Sequence, residues 1–548
     1  MIKSMELFKR KSFLFLFLIL VLSSVARLYR LDSIPGSLYT DEANQGYNAF
    51  SLLITGKDEH GYNFPVTLRS FGDWKPPLQS WLMIPFVVIF GLSETSVRLP
   101  SAILGTASVY LLYLLVVMLF PGSKAGNKMA LIAAWSISVS PWHILQSRSA
   151  MLVGIALFFV LFSVIFFLKG VKKNHNIFWS FIFFGISLYA YYGLRVFVPL
   201  LILLLMVIYR QIFLAKPRLL LMPMVAICLA VAPLFLGFLT NQDVIFGRAR
   251  TISVFYDQGV KLRQWELITQ DRDAPPVLAR FFHNKAYLYF RQISSNFFSH
   301  FDGRYLFLKG DTVTPFQIPG MGLLYLTDGF FLITGIVLLA VRFGSGQKKF
   351  LFGWLIISLI PASLTFMVPS SNRTFTAIVP LTALIAAGLS IIRDKKTVIA
   401  VSAIYIFLIG YFFRQYFISL NSSHSDWWNY GWREAVSETS RIGSKYENII
   451  VADFNGMPYI YFLFYNRYDA GLYQRQAART YVADRFGFEH VEGFGKYLFP
   501  ENLDWQQVKR SPLKNSLYIL PANLSDDAGY LYEVKDPRGK PLYRFYDF

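Results

Sequence analysis

Apolar residues run along this chain in blocks of about 15–25, most of them closed by a short cluster of Lys and Arg. Roughly 20 apolar residues suffice for a helix to cross the hydrocarbon core of a bilayer. The blocks predict spans at about 12–30, 98–120, 129–142, 151–169, 177–191, 194–209, 219–239, 321–341, 350–367, 374–392 and 397–413. Basic clusters recur at alternate ends: Lys9, Arg10 and Lys11; Lys124 and Lys128; Lys169, Lys172 and Lys173; Arg210, Lys216 and Arg218; Arg342, Lys348 and Lys349; Arg393, Lys395 and Lys396. Cytoplasmic loops hold such clusters, so the N-terminus lies inside. Segment 31–97, the long loop 240–320 and everything past about 415 then lie outside.

One further apolar stretch, Leu78 to Phe90, interrupts the first outer segment behind Pro76-Pro77. As a span it would put Lys124 and Lys128 outside and invert every later loop. It is therefore expected to lie in the interface as a re-entrant-like helix. The N-terminus resembles a signal peptide, with Ser24-Val25-Ala26 at a cleavage-like spacing, but Arg27 and many further spans favour an uncleaved first span.

Past residue 416 the pattern changes. Glu447 to Ala452 and Ser516 to Leu520 read as strands, and Met457 to Tyr465 as a helix. Asp536-Pro537-Arg538-Gly539 has turn chemistry between two short strands. The expected fold is an α-helical polytopic membrane protein of about eleven spans, residues 1–415, with a small extracytoplasmic α/β domain, residues 416–548. That domain lacks a G-x-G-x-x-G or P-loop motif, which leaves nucleotide binding unsupported. Asp426-Trp427-Trp428-Asn429-Tyr430-Gly431-Trp432 reads as an interfacial aromatic belt, or as a sugar-stacking surface.

Composition agrees with the membrane reading. Of 548 residues, 54% are hydrophobic and 16% charged, against about 25% charged in soluble chains. The net charge of +20 sits largely at span ends, which argues for lipid phosphates and against nucleic acid. Cys228 is the single cysteine, so no intramolecular disulfide can form.

The topology collects the unusual polar residues on the outer face: Asp41, Glu42, Lys75, Arg98, Arg148, Arg195 and Arg373. Ionisable residues at membrane depth are functional candidates. Arginine forks and a lysine point charge suit a lipid phosphate. A carboxylate beside it can take the proton of an attacking hydroxyl, while fixed cations stabilise the leaving phosphate. The bland readings are snorkelling anchors for the arginines and a helix N-cap for Asp41-Glu42 ahead of Ala43 to Leu53. Asp58-Glu59-His60 offers a second acidic site and a metal-like trio, or a solvated loop.

The ordered set Asp41-Glu42, Lys75-Pro76-Pro77-Leu78 and Gly91 to Ala102 resembles the GT-C membrane glycosyltransferases. Nearest in pattern are the protein O-mannosyltransferases and the bacterial lipid A aminoarabinose transferases. Ser140-Pro141-Trp142-His143, Ser147-Arg148, Tyr189, Arg195 to Pro199 and Asn372-Arg373 extend the likeness over most of residues 10–415. The resemblance implies a polyprenyl-phosphate sugar donor and an extracytoplasmic active site in the cell membrane. It implies a catalytic Asp at Asp41, with Glu42 as its supporting neighbour, and a donor-phosphate Lys at Lys75. Arg98, Arg148, Arg195 and Arg373 join the phosphate set, and Tyr191, Tyr192 and Asn372 are acceptor or sugar candidates. Some relatives carry Glu or His before Pro-Pro; Trp74-Lys75 stands here, so no metal ligand is assigned and a divalent cation is the one cofactor considered. Many bacterial relatives have Glu where this chain has Leu152. The expected reaction is sugar transfer, with inversion, to a hydroxyl or phosphate of a glycolipid, envelope glycan or protein. The alternative is a flippase of lipid-linked sugars, which should show repeats and midplane polar groups.

Overall fold

The computed structural model describes all residues except 1, 123, 172–174, 257, 272–274, 454–456 and 485–486. Lys172 and Lys173 of the third basic cluster thus fall outside the described residues. The chain forms two compact units.

The first unit comprises residues 1–27, 103–147 and 152–412 and is helical. Helices cover every stretch expected to span. Among them are Ile2–Leu28, Glu94–Leu119, Lys124–Val139, Val153–Gly170, His175–Ser187 and Leu194–Ile208, followed by Leu221–Thr240, Leu326–Arg342, Ser345–Ser363, Ile378–Ser390 and Lys395–Arg414. Among the described residues, five helical stretches are by themselves long and apolar enough to cross a bilayer: Lys11–Leu28, Glu94–Leu119, Val153–Gly170, Pro217–Thr240 and Lys395–Ser423. Close helix packing is bought with small residues: a Cβ on Gly335 would stand 1.9 Å from the Leu384 carbonyl oxygen, and one on Gly388 2.1 Å from that of Phe331. Buried cations are tied to backbone oxygens. Arg27 donates to the carbonyls of Ser23 and Ser138 at 3.1 and 3.0 Å and lies 2.6 Å from His143 Nδ1.

The second unit comprises residues 28–102, 148–151 and 413–548. Its larger apolar core runs from Leu38, Tyr47, Met83 and Val97 to Trp432, Ile460, Leu517 and Phe545, and a smaller one gathers Ile450, Trp505, Leu520 and Tyr546. Its sheet has seven strands among the described residues, in the order β4-β5-β6-β3-β7-β9-β8. These are β3 (Asn448–Val451), β4 (Ala478–Thr480), β5 (His490–Phe494), β6 (Tyr497–Leu498), β7 (Ser516–Pro521), β8 (Tyr532–Lys535) and β9 (Pro541–Asp547). Strand β3 pairs in parallel with β6 and β7, and the other pairs are antiparallel. The central strands β3 and β7 are the two expected from their apolar runs. Asp536 to Gly539 makes the turn between β8 and β9, with Gly539 at φ 83°.

Two tryptophans of the 427–432 stretch form neither an aromatic belt nor a sugar platform. Trp428 is 1% exposed and Trp432 5% exposed. Trp432 stacks on Tyr461 at 5.5 Å and meets Tyr543 at 4.3 Å, so both tryptophans are core. Only Trp427 is open. Leu78–Phe90 is one helix of 13 residues. Such a helix is about 20 Å long, short of the roughly 30 Å of hydrocarbon.

Candidate functional site

Asp41 and Glu42 open the helix Thr40–Thr55. Glu42 is its third residue, and its Oε2 accepts the Tyr39 N–H at 3.0 Å, which satisfies one orphan donor of the first turn. The helix is pinned early in its run. A Cβ on Gly46 would stand 2.5 Å from Val97 and 2.7 Å from Phe464, so only glycine allows this approach. Tyr461 donates to the Leu38 carbonyl and meets the Thr40 hydroxyl, each at 3.2 Å. Asn429 Nδ2 reaches the same hydroxyl at 3.1 Å.

The two carboxylates have different surroundings. Glu42 is fully buried. Its oxygens accept from Arg98 Nε at 3.1 Å, Arg98 Nη2 at 2.9 Å and the Ala150 N–H at 2.8 Å. Asp41 keeps 42% of its side chain exposed, and its Oδ1 pairs with Lys75 Nζ. Lys75 ends β2 (Asp73–Lys75), which pairs with β1 (Leu68–Ser70) through a two-residue turn. Phe71 and Gly72 there have φ 53° and 85°, the left-handed pair that a tight hairpin needs. The hairpin delivers a buried ammonium, 4.8 Å from the centre of the Phe71 ring, to a carboxylate open to solvent.

The arginines sort into groups. Arg98 is fully buried, and all five of its N–H groups are committed. Besides the two bonds to Glu42, Nη1 donates to the carbonyls of Leu31 and Pro35 at 3.1 and 2.9 Å, and Nη2 to that of Ser37 at 2.6 Å. It has no donor left for a phosphate. Arg148 is also buried. It donates to the carbonyls of Arg30 and Ile34 at 3.3 and 2.9 Å and lies over the rings of Tyr416 and Phe417. Together the two arginines bind the 30–37 loop by its carbonyls and so set the entry of the Asp41 helix.

Arg195, Arg373, Tyr191, Tyr192 and Asn372 belong to the helical unit. Arg195 Nη1 donates to the Val244 carbonyl at 2.7 Å, and its guanidinium faces Tyr192. Arg373 uses Nη1 for Thr365 Oγ1 and the Met367 carbonyl at 2.8 and 2.7 Å. Its Nε and Nη2 carry no hydrogen bond among the described residues. A narrow cleft is lined by Tyr191, Asn372, Arg373, Pro361 and Thr376. Sequence reasoning missed what holds this cleft. Asp311 accepts the Ser371 N–H at 2.6 Å, His300 Nε2 the Ser370 N–H at 3.2 Å, and Trp142 Nε1 donates to the Ser371 carbonyl at 3.2 Å. These residues lie 60–230 positions from the turn they hold, and no local pattern announces them.

Asp58-Glu59-His60 is not a solvated loop. Asp58 and Glu59 are fully buried, and His60 is 9% exposed. Glu59 accepts from Asn44 Nδ2 at 2.6 Å, and its N–H donates to Asn48 Oδ1 at 3.0 Å. Burial raises the Asp58 carboxyl to about 6 and that of Glu59 to about 7; burial, then the charges of Arg479 and Arg69, lowers His60 to about 3. The loop read as bland because its three polar residues are adjacent. Asn44 and Asn48, one turn apart, supply partners for Glu59, while Asp58 Oδ1 accepts the His60 and Tyr62 N–H groups at 3.0 and 2.9 Å. No group of three His, Cys, Asp or Glu side chains suited to a metal occurs among the described residues.

Comparison with known proteins follows this geometry. Residues 74–236 match the family model described as dolichyl-phosphate-mannose-protein mannosyltransferase. Two Bacillus subtilis (strain 168) proteins, provisionally named as mannosyltransferases, share stretches of sequence. YkcB is 27% identical over 173 residues, 31% of this chain and 22% of YkcB. YycA is 33% identical over 100 residues, 18% of this chain and 14% of YycA. The matches thus span less than a quarter of either relative. The crystal structure of ArnT from Cupriavidus metallidurans bound to undecaprenyl phosphate superposes with TM-score 0.58 at 12% identity, covering 97% of both chains. The chain shares the fold of that structure, helices with a C-terminal sheet region.

Proposed function

We propose that this chain, with its GT-C fold and its mannosyltransferase-family stretch, moves a sugar from a polyprenyl-phosphate donor to an acceptor on the extracytoplasmic face of the cell membrane. The observation that carries the reading is the Asp41–Lys75 pair, a solvent-open carboxylate held by a buried ammonium at a helix N-terminus. In our assignment Asp41 takes the proton of the acceptor hydroxyl as its oxygen attacks the anomeric carbon. The bond from that carbon to the phosphate oxygen breaks in the same step, the lipid phosphate leaves with the electron pair, and the anomeric centre inverts. Lys75 gives the departing phosphate its counter-charge. Until a donor arrives, Lys75 and Asp41 occupy each other; a phosphate competing for the ammonium frees the carboxylate for proton transfer.

Glu42, Arg98 and Arg148 are assigned to holding that geometry. Arg373, with Tyr191 and Asn372, is the anion- and sugar-binding candidate of the helical unit, and Arg195 and Tyr192 flank it in sequence. The family description favours a hexose over a pentose as the transferred sugar. The acceptor is a hydroxyl or phosphate of a glycolipid, an envelope glycan or a protein. Residues 1–415 are assigned to transfer, and 416–548 to an outer domain.

The test is turnover in proteoliposomes with polyprenyl-phosphate mannose and, in parallel, a polyprenyl-phosphate pentose. Release of polyprenyl phosphate that requires acceptor supports transfer. Movement of intact lipid-linked sugar across the bilayer, without cleavage, would replace the reading with a flippase.

A further inference from the structure

The helices Gln258–Gln270, Pro276–Phe282 and Lys285–Ser299 follow one another in the long loop of the helical unit. The last of them is inside-out for a helix in water. Its inward stripe holds Leu288 and Asn296. Asn296 Nδ2 donates to the carbonyls of Ser363 and Thr365 at 3.1 and 2.7 Å. Its outward stripe is aromatic, with Phe290 70% and Phe298 68% exposed, against 2% for Asn296. A helix facing water sorts the other way. The chain contains such a helix: Trp432–Ile442 buries Trp432, Ala435 and Val436, and pairs Glu438 with the open Arg441.

The neighbouring helices continue the aromatic surface. Trp265 is 74% exposed, and Leu262, Phe281 and Phe282 are also open. Five aromatic side chains exposed to this degree present several hundred Å² of apolar area, more than a water-facing surface usually shows. Cations are interleaved with them. Lys261, Arg280, Lys285 and Arg291 are exposed and carry no ion pair among the described residues. Among the described residues of these helices, Glu266 pairs with Arg263 at 3.1 Å and Asp271 with His283 at 2.6 Å. Open aromatics flanked by open cations are the pattern of a helix bedded at a charged bilayer surface.

We propose that the helices Gln258–Gln270, Pro276–Phe282 and Lys285–Ser299 form a lipid-docking surface. Trp265, Phe290 and Phe298 enter the boundary of headgroups and acyl chains, and Lys261, Arg280, Lys285 and Arg291 hold the headgroups of anionic glycerophospholipids. The occupant is the bilayer itself, and the inference is independent of the proposed reaction.

The test uses the full chain with Cys228→Ser and a fluorophore on Trp265→Cys or Phe290→Cys, reconstituted in phosphatidylcholine–phosphatidylglycerol vesicles. A label on Arg441→Cys, a side chain 70% exposed, is the water-facing control. Lipids brominated in the acyl chain are expected to quench the first two labels and aqueous iodide the third. Native-like elution and melting exclude misfolded samples. Separately, Gln replacing all four cations should lower the enrichment of phosphatidylglycerol around the protein in mixed-lipid nanodiscs by roughly fivefold or more. Iodide quenching at 265 and 290 equal to that at 441 would refute the docking. So would protection from both quenchers, since a protein partner or second copy would then cover the face. Unchanged phosphatidylglycerol enrichment would refute the headgroup assignment.

Discussion

Glu42→Gln and Asp41→Asn should separate stability from chemistry at neighbouring positions. Glu42 is fully buried and accepts four hydrogen bonds, two at each oxygen. The amide of a glutamine replaces one oxygen with an NH₂. Turned one way, it faces the N–H groups of Ala150 and Arg98 Nε; turned the other, those of Tyr39 and Arg98 Nη2. Either way two donors lose their acceptor and the Arg98 guanidinium keeps its charge without a counter-ion. Removing one partner of a buried pair costs about 3–5 kcal/mol. At about 2–4 °C per kcal/mol, the midpoint should fall on the order of 10 °C. Asp41 has 42% of its side chain exposed and a single ion pair. Asp41→Asn should cost about 1 kcal/mol of stability, whereas removing a general base slows turnover by about 10²–10⁴, roughly 3–5 kcal/mol of barrier. Melting in detergent and donor turnover in proteoliposomes, measured on both variants, give the comparison. An unchanged midpoint for Glu42→Gln would refute the buried-pair account. Near-normal turnover by folded Asp41→Asn would refute its role as base.

Arg98→Lys keeps the charge but exchanges five fixed donors for three on a point charge, so three loop carbonyls and a bidentate carboxylate cannot all be met. We expect a fall in midpoint comparable to that of Glu42→Gln, read by the same melt. Arg373→Ala should leave melting within a few degrees and raise the KM for the donor roughly 10- to 100-fold, the value of one or two charged hydrogen bonds; an unchanged KM removes Arg373 from the donor site. Glu59 is raised to about 7 by burial. A carboxyl raised in the fold stabilises it fully below its unfolded value near 4.5, and that contribution is lost as pH rises through about 7. Glu59→Gln cannot ionise and should therefore gain stability relative to the parent between about pH 5 and pH 8. Parallel melting curves across that range would contradict a buried, proton-binding Glu59.

Much of the helical unit was legible in the sequence, because a membrane span is a local property. Length, apolarity and a basic end are all present within about 20 residues, and each expected stretch carries a helix. The strands β3 and β7 were legible for the same reason, as short apolar runs between turn signals. Arginine roles were not, because a guanidinium at a span end has the same sequence whether it meets a lipid phosphate or a protein carbonyl. Arg98 and Arg148 are decided by Leu31, Pro35, Ser37 and Arg30, which lie 61–118 positions away. A clue existed in the loop itself. Segment 30–37 contains Pro35 and Gly36 and forms no regular helix or strand; its own Ser33 and Ile34 N–H groups reach only the Arg30 carbonyl, and the carbonyls of Leu31, Ile34, Pro35 and Ser37 are met by the two arginines. Irregular backbone near a bundle therefore predicts buried arginines as strongly as an anionic ligand does. Of the five cations first assigned to phosphate, Arg98 has every donor committed to protein oxygens, whereas Lys75 faces a partner that is itself solvent-open and Arg373 keeps two nitrogens without a hydrogen bond among the described residues.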